Sequence, residues 1–174
     1  MATRHMLFSC LFVVLVTVTP AEGQDPAMNF VAHLDGGQEV PARETAATGQ
    51  AIFRLNRDGT QLSYRLIAAN IENVVAAHIH LGPQGVNGAV VAFLFGAVPP
   101  GGGRTDGVLA EGVITAANLV GPLVGQNLSV LVAAMQSGGA YVNVHTNDGI
   151  DPPNTGPGDF PGGEIRGQIR HVGR

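Results

Sequence analysis

The sequence contains no lysine and a single cysteine, Cys10, and both shortages restrict what the protein can be. All of its fixed positive charges are arginines, and its net charge at pH 7 is −4. A mildly acidic chain without a basic cluster lacks the electrostatic footprint of a nucleic-acid-binding protein. It also lacks the polybasic segment that holds proteins on anionic membranes. We therefore expect neither nucleic acid nor a membrane surface as a partner.

The N-terminal residues have the pattern of a secretory signal peptide. Arg4 precedes an apolar run over residues 7–18, and Ala21 and Gly23 put small residues where signal peptidase reads the chain. The run is well short of the roughly twenty residues that span a bilayer. We predict that residues 1–23 are removed and that residues 24–174 form a single secreted domain, extracellular or periplasmic, without a membrane span. Cys10 would leave with the signal, so the mature domain would contain no disulfide.

Beyond residue 24, apolar and polar residues alternate with a period of two between frequent glycines and prolines. The strongest local signal is a hairpin, in which Asn56-Arg57-Asp58-Gly59 joins alternating segments at 50–55 and 62–66. Further strands are predicted at 29–34, 74–80, 89–95, 108–114, 140–146 and 163–170. The pattern predicts a mainly β fold, either an antiparallel β-sandwich or a closed barrel of about eight strands.

One segment has a helical period, because Leu128, Leu131, Val132 and Met135 are spaced i, i+3, i+4 and i+7. We predict one short helix over about residues 127–137, with Asn127 as its N-cap. Asn127 also begins a glycosylation sequon, which matters only in a eukaryotic host.

Two segments rich in glycine and proline are predicted to be loops. Residues 96–107 have the composition of a mobile connector. Residues 147–162 carry Asp148, Asp151 and Asp159, whose oxygens suit Ca²⁺. The spacing does not match an EF-hand, and a solvated loop stiffened by proline is the simpler interpretation.

Histidines supply the most informative pattern in the chain. Side chains alternate across a strand, so His78 and His80 share the face opposite Val75, Ala77 and Ile79. The same alternation places polar residues of segments 140–146 and 163–170 opposite their valines and isoleucines. If the three strands belong to one sheet, one polar face gathers His78, His80, Asn143, His145, Glu164 and Arg166.

Three interpretations of this face are open. The polar groups could form a structural hydrogen-bond network, since a buried polar group left unpaired costs roughly 1–3 kcal/mol. Alternatively, His78, His80 and His145 could bind copper or zinc with one position open, with Asn143, Glu164 and Arg166 as supporting groups. Proton-transfer catalysis is the third. Glu164 and Arg166 are predicted to pair with each other or to orient the histidines. No nucleophile elbow or Walker loop points to an enzyme.

Taken in order, several motifs resemble the CHRD domain, named for chordin, an extracellular antagonist of bone morphogenetic proteins. The resemblance covers essentially the whole mature chain and implies an extracellular β domain without a known activity. The link between Thr146 and Pro161 is longer here than is usual in the family. The motifs that carry the resemblance are Gln38-Glu39-Val40-Pro41, Asp58-Gly59-Thr60, Ala77-His78-Ile79-His80, Tyr141-Val142-Asn143-Val144-His145-Thr146 and Gly162-Gly163-Glu164-Ile165-Arg166-Gly167.

A partial similarity to copper/zinc superoxide dismutases bears on the metal hypothesis. Those enzymes also have a His-x-His strand, a later Val-x-Val-His segment and a glycine-flanked arginine, in the order of His78, His80, His145 and Arg166. No histidine lies between His80 and His145, where the dismutases keep their bridging and zinc ligands. The similarity implies a mononuclear three-histidine copper site at most.

These observations predict three functions. The first is a secreted, non-catalytic CHRD-type binding or structural module that needs no cofactor and contacts an extracellular protein or polysaccharide. The second is a mononuclear copper or zinc protein that uses His78, His80 and His145, with dismutase-like redox activity. The third is a Ca²⁺-stabilised adhesion module built around Asp148, Asp151 and Asp159.

Overall fold

The computed structural model of the chain describes residues 28–150 and 156–173, so the predicted signal peptide and Asp151 lie outside the described residues. The described part is mainly β, with one α-helix, and no helix in it is long or apolar enough to cross a membrane. The strands are β1 (Asn29–Asp35), β2 (Thr48–Leu55), β3 (Leu62–Glu72), β4 (Val74–Leu81), β5 (Val90–Gly96), β6 (Arg104–Ile114), β7 (Ala140–Thr146), β8 (Ile165–Gln168) and β9 (Arg170–His171), and the helix is α1 (Leu128–Gln136).

All paired strands are antiparallel, in the order β5-β4-β7-β8-β1-β2-β3-β6, and β9 also pairs with β1. The sheet curls into a nearly closed barrel whose seam lies between β5 and β6. Two backbone carbonyls of β5 accept hydrogen bonds from outside the strand. The Tyr64 hydroxyl donates to the Leu94 carbonyl at 2.8 Å, and the Val120 N–H donates to the Val91 carbonyl at 2.9 Å. Such bonds protect a strand edge that would otherwise expose unpaired backbone groups. The predicted mainly β fold of about eight strands is confirmed, as a barrel.

The apolar sets of the alternating strands fill the barrel interior. Phe30, Phe53, Leu62 and Leu66 are fully buried. Each such side chain stabilises the fold by roughly 1.5–3 kcal/mol relative to an exposed one. The predicted stripe of α1 is buried as well, and the helix packs against β7 and β9. Asn127 occupies the N-cap position of α1, but its side chain makes no capping hydrogen bond.

Three details of the prediction are wrong. Val75 was expected to face the core, but a bulge in the pairing of β4 with β7 buries Val74 instead and leaves Val75 half-buried. The predicted connector over 96–107 is shorter, because Gly96 ends β5 and β6 begins at Arg104. The predicted strand at 163–170 is interrupted, since the Ile169 N–H donates to the Ala140 carbonyl between β8 and β9.

Candidate metal centre

The predicted polar face forms on the outside of the barrel, because β4, β7 and β8 are neighbours in the sheet. Across these strands, His78 lies opposite Asn143, and Asn143 lies opposite Arg166. His145, two residues further along β7 than Asn143, lies opposite Ala76. Residues directly opposite each other in antiparallel strands have Cβ atoms about 4.5–5.5 Å apart. The register therefore brings the three histidines into one cluster.

The imidazoles of His78, His80 and His145 each offer one ligand nitrogen, and these atoms all lie within 4.8 Å of one another. His78 Nδ1 is 3.1 Å from His145 Nε2. One ion bonded to three imidazoles at about 2.0–2.1 Å would hold their nitrogens within about 4.1 Å of each other. Ring shifts of less than about 1 Å would close the cluster around an ion.

Backbone carbonyls decide which nitrogen of His80 and His145 carries the proton. His80 Nδ1 is 2.9 Å from the Gly88 carbonyl oxygen, and His145 Nδ1 is 2.8 Å from the Pro161 carbonyl oxygen. A carbonyl oxygen only accepts, so each Nδ1 donates and each Nε2 keeps its lone pair. His80 Nε2 is buried without a hydrogen-bond partner. Metal-binding histidines are oriented in this way in most proteins.

Burial keeps the three imidazoles neutral. Burial, together with the neighbouring His145 and His80, lowers the pKa of His78 to about 4. Burial also lowers the pKa of His80 and of His145. The Gly88 carbonyl and the Asn143 side chain oppose this at His80, and the Pro161 carbonyl opposes it at His145. Neutral imidazole is the form that binds metal ions. The cluster is therefore ready to bind an ion at neutral pH without first releasing protons from the histidines.

Asn143, predicted as a supporting group, lies inside the cluster. It is buried, and its Oδ1 is 3.1 Å from His145 Nε2. Because His145 Nε2 and Asn143 Oδ1 are both acceptors, they do not hydrogen-bond to each other. The lone pair of His145 instead accepts from His78 Nδ1–H, 3.1 Å away, or binds an ion.

Arg166, the second predicted supporting group, acts on the cluster through Tyr141 and a loop. Its guanidinium carbon is 3.4 Å from the centroid of the Tyr141 ring, and that ring stacks on His80 at 4.8 Å. Arg166 also donates to Asn87 Oδ1 at 3.0 Å and to the carbonyls of Pro83 and Val86 at 3.1 and 2.9 Å. These bonds fix the loop 82–88, which supplies the Gly88 carbonyl to His80.

Glu164, the third predicted supporting group, does not pair with Arg166, so the expected ion pair is wrong. Ion pairs among the described residues include Arg65 with Glu111 and Arg104 with Asp106, and none of them joins Glu164 to Arg166. Glu164 precedes β8, and its buried carboxylate instead accepts from three donors at the end of the barrel. These are the Thr45 hydroxyl at 2.6 Å, the Thr146 hydroxyl at 2.7 Å and the Gly158 N–H at 2.9 Å. The carboxylate fastens segment 156–163, which carries the Pro161 carbonyl to His145.

Glu39 belongs to the same face and was not predicted as a site residue. Only 6% of it is exposed, and its Oε1 is buried without a hydrogen-bond partner. Burial raises its pKa to about 7, and the Val40 N–H, Arg166 and Arg43 oppose the rise. In the sequence, Glu39 stands out only as part of the motif Gln38-Glu39-Val40-Pro41. Its burial could not be predicted, because a glutamate next to a short glycine-rich turn is usually exposed.

The remaining candidates lie elsewhere. Among residues 28–150 and 156–173, the three-histidine cluster is the only group of His, Cys, Asp or Glu that could hold a metal ion. Asp148 accepts a hydrogen bond from the Ile150 N–H at 2.8 Å, and Asp159 is buried. His33 and His171 are exposed, as predicted. Phe93, half exposed, contacts His78 edge-on at 4.8 Å and marks the side of the cluster nearest to solvent.

Comparison with known proteins agrees with the motifs. No curated protein and no solved structure matches the chain. The model of the CHRD domain matches residues 30–169, a segment that contains the three histidines and Glu39, Asn143 and Arg166. The chain therefore belongs to the CHRD domain family.

Proposed function

We propose that this CHRD domain is a secreted module that binds one copper or zinc ion through His78, His80 and His145. The observation that carries the proposal is the buried, unpartnered Nε2 of His80, whose ring is fixed by the Gly88 carbonyl. A purely structural network should pair this nitrogen, because an unsatisfied buried acceptor costs about 1–3 kcal/mol. A metal ion would satisfy it together with the lone pair of His145.

The donor set favours copper or zinc over calcium. Imidazole nitrogen suits both transition metals, whereas Ca²⁺ prefers carboxylate and carbonyl oxygens. Three protein ligands leave a position for water or an exogenous ligand. The spacing of the three imidazole nitrogens supports the proposed ion, and redox chemistry of the dismutase kind would require copper in that site.

The setting of the proposal is extracellular or periplasmic. CHRD domains are typically extracellular, and Arg4, the apolar run 7–18 and the small residues before Gln24 support export. Sequencing the N-terminus of the exported protein checks this, and a chain that still begins at Met1 would contradict it. The partner that we propose for the module is an extracellular protein or polysaccharide.

Metal analysis of untagged protein, purified without chelators and reconstituted with Zn²⁺ or Cu²⁺, tests the proposed site. We expect about one ion per chain in the wild type, and loss of that ion in His78→Ala and His145→Ala. His33→Ala and His171→Ala are matched controls, because both histidines are exposed and outside the cluster. The proposal fails if the folded wild type takes up no stoichiometric metal, or if His78→Ala retains as much as His33→Ala.

A further inference from the structure

The carboxyl group of Glu39 is part of the polar face but has no role in holding the histidines. We infer that Glu39 provides the counter-charge of the metal site, an inference that rests on the proposed function. The carboxyl gives up a proton when a divalent cation binds to the histidines. The O–H bond of the carboxylic acid breaks, the proton goes to the buffer, and the carboxylate remains as a negative charge. The bonds that form are the bond from the proton to the buffer base and those from the metal ion to the histidine nitrogens.

Geometry connects Glu39 to the cluster through Gly163 and Asn143. A Cβ atom at Gly163 would clash with Glu39 Oε1 and lie 3.0 Å from Asn143 Nδ2, so both side chains crowd the same glycine. Gly163 has φ +120°, a conformation that L side chains rarely adopt. Asn143 in turn contacts His145 Nε2. The glycine therefore allows a buried carboxyl to approach the group that touches the metal ligands.

The charges that face Glu39 are two arginines. Arg166 reaches it from β8, and Arg43 reaches it from the segment that follows the carboxyl in sequence. Neither forms an ion pair with it among the described residues. Arg166 is committed to the loop 82–88, and Arg43 donates to the Gly163 carbonyl at 3.3 Å and lies over the Phe160 ring. Burial outweighs both charges, because the pKa of Glu39 remains raised to about 7.

A bound cation would change this balance. Asn143 and Arg166 face each other across β7 and β8, and His78 is the next residue across the sheet, in β4. Neighbouring strands are about 4.8 Å apart, so the ion would lie within about 10 Å of the carboxyl. At that distance a partly buried pair is weakly screened by salt. The positive charge would favour the ionised form of Glu39.

Calorimetric titration of Zn²⁺ into metal-free protein, in buffers of different ionisation enthalpy, counts the protons released per ion. We expect the wild type to release nearly one proton more than Glu39→Gln at about pH 6, and the difference to vanish at about pH 8.5, where Glu39 is already ionised. Protons from the histidines or from metal-bound water are common to both proteins and cancel in the difference. Glu44→Gln is the matched control, because Glu44 is exposed in the same segment.

The possible outcomes separate the two proposals. Equal proton release by wild type and Glu39→Gln, with Zn²⁺ bound to both, overturns the role of Glu39 and leaves the metal site intact. Failure of the wild type to bind Zn²⁺ overturns the metal site itself. If Glu39→Gln does not fold, infrared spectra of the wild type decide. The carbonyl band of a protonated carboxyl at about pH 6 should disappear when Zn²⁺ is added, and its persistence would overturn the inference.

Discussion

Backbone carbonyls, which carry no signal in a sequence, determine which nitrogen of His80 and of His145 is protonated. Gly88 illustrates this at the scale of single residues. A Cβ atom at this position would clash with the Leu81 carbonyl, so only glycine brings the carbonyl of residue 88 against His80 Nδ1. The cluster therefore depends on a glycine that contacts a proposed metal ligand through its backbone carbonyl.

Glu39 makes the stability of the metal-free protein depend on pH. Its pKa rises from the usual 4.5 to about 7 on folding, so the folded state holds this proton more tightly than the unfolded state. The resulting stability is complete below about pH 4.5 and is lost as the pH rises through about 7. Glu39→Gln cannot ionise at this position. We predict that the unfolding free energy of Glu39→Gln minus that of the wild type increases by about 2.5 kcal/mol from pH 5 to pH 8. Urea unfolding at both pH values measures the gain.

Glu44→Gln serves as the control for this pH dependence, since Glu44 is exposed and lies in the same segment as Glu39. A difference between Glu39→Gln and wild type that stays constant from pH 5 to pH 8 would show that the Glu39 carboxyl ionises normally in the folded protein.

The sequence predicted the residues of the cluster because strand alternation is a strong local rule. His78 and His80 had to share one face of β4, and Asn143 and His145 had to share one face of β7. What it could not supply was the partner of each side chain. Glu164 binds Thr45, Thr146 and the Gly158 N–H instead of Arg166, because it lies before β8 and faces the end of the barrel. Its contacts come from loops, whose paths depend on the whole fold.

At the scale of elements, two loops support the cluster and each is fastened by a buried polar side chain. Arg166 holds the loop 82–88, and Glu164 together with Thr146 holds the segment 156–163. Thr146 is central to the second, because its hydroxyl donates to Glu164 at 2.7 Å and accepts from the Phe160 N–H at 2.9 Å. Pro161 follows directly and orients His145.

We predict that Thr146→Val, which keeps the shape of the side chain, weakens both folding and metal binding. The Phe160 N–H and one oxygen of Glu164 would lose a buried partner, which costs about 1–3 kcal/mol of unfolding free energy. Loss of the Pro161 contact to His145 should lower the affinity for Zn²⁺ about 10- to 100-fold. Urea unfolding and a Zn²⁺ titration measure the two effects.

Thr48→Val is the control, since Thr48 is exposed in β2 on another part of the barrel. If Thr146→Val is destabilised but binds Zn²⁺ as tightly as the wild type, then Thr146 supports folding alone and the segment 156–163 does not position His145.

Element boundaries were predicted well where alternation was uninterrupted and poorly where it was broken. The bulge at Val75 and the early start of β6 both occur where strand pairing, a long-range interaction, overrides local pattern. The sequence pattern also could not decide between a sandwich and a barrel. It depends on whether β5 meets β6, and the Tyr64 hydroxyl that bridges to Leu94 joins residues far apart in the chain.

At the scale of the whole molecule, the described domain contains no cysteine, so the barrel depends on packing, hydrogen bonds and any ion that it binds. A ligand that binds only the folded state stabilises it by a free energy that grows with the logarithm of the ratio of ligand concentration to Kd. We predict that Zn²⁺ at 100 times its Kd raises the unfolding free energy by about 2.7 kcal/mol and the melting temperature by roughly 5–10 °C. Thermal unfolding with and without the ion measures this.

The same melting experiment discriminates between the metal hypotheses. Ca²⁺ should produce no shift, because imidazole nitrogens are poor calcium ligands. His78→Ala should lose the Zn²⁺ shift, and His33→Ala should keep it, since only His78 belongs to the cluster. A shift with Ca²⁺ and none with Zn²⁺ would instead favour a site around Asp148, Asp151 and Asp159. In that case the unpartnered nitrogen of His80 would have to be satisfied by something other than a metal ion.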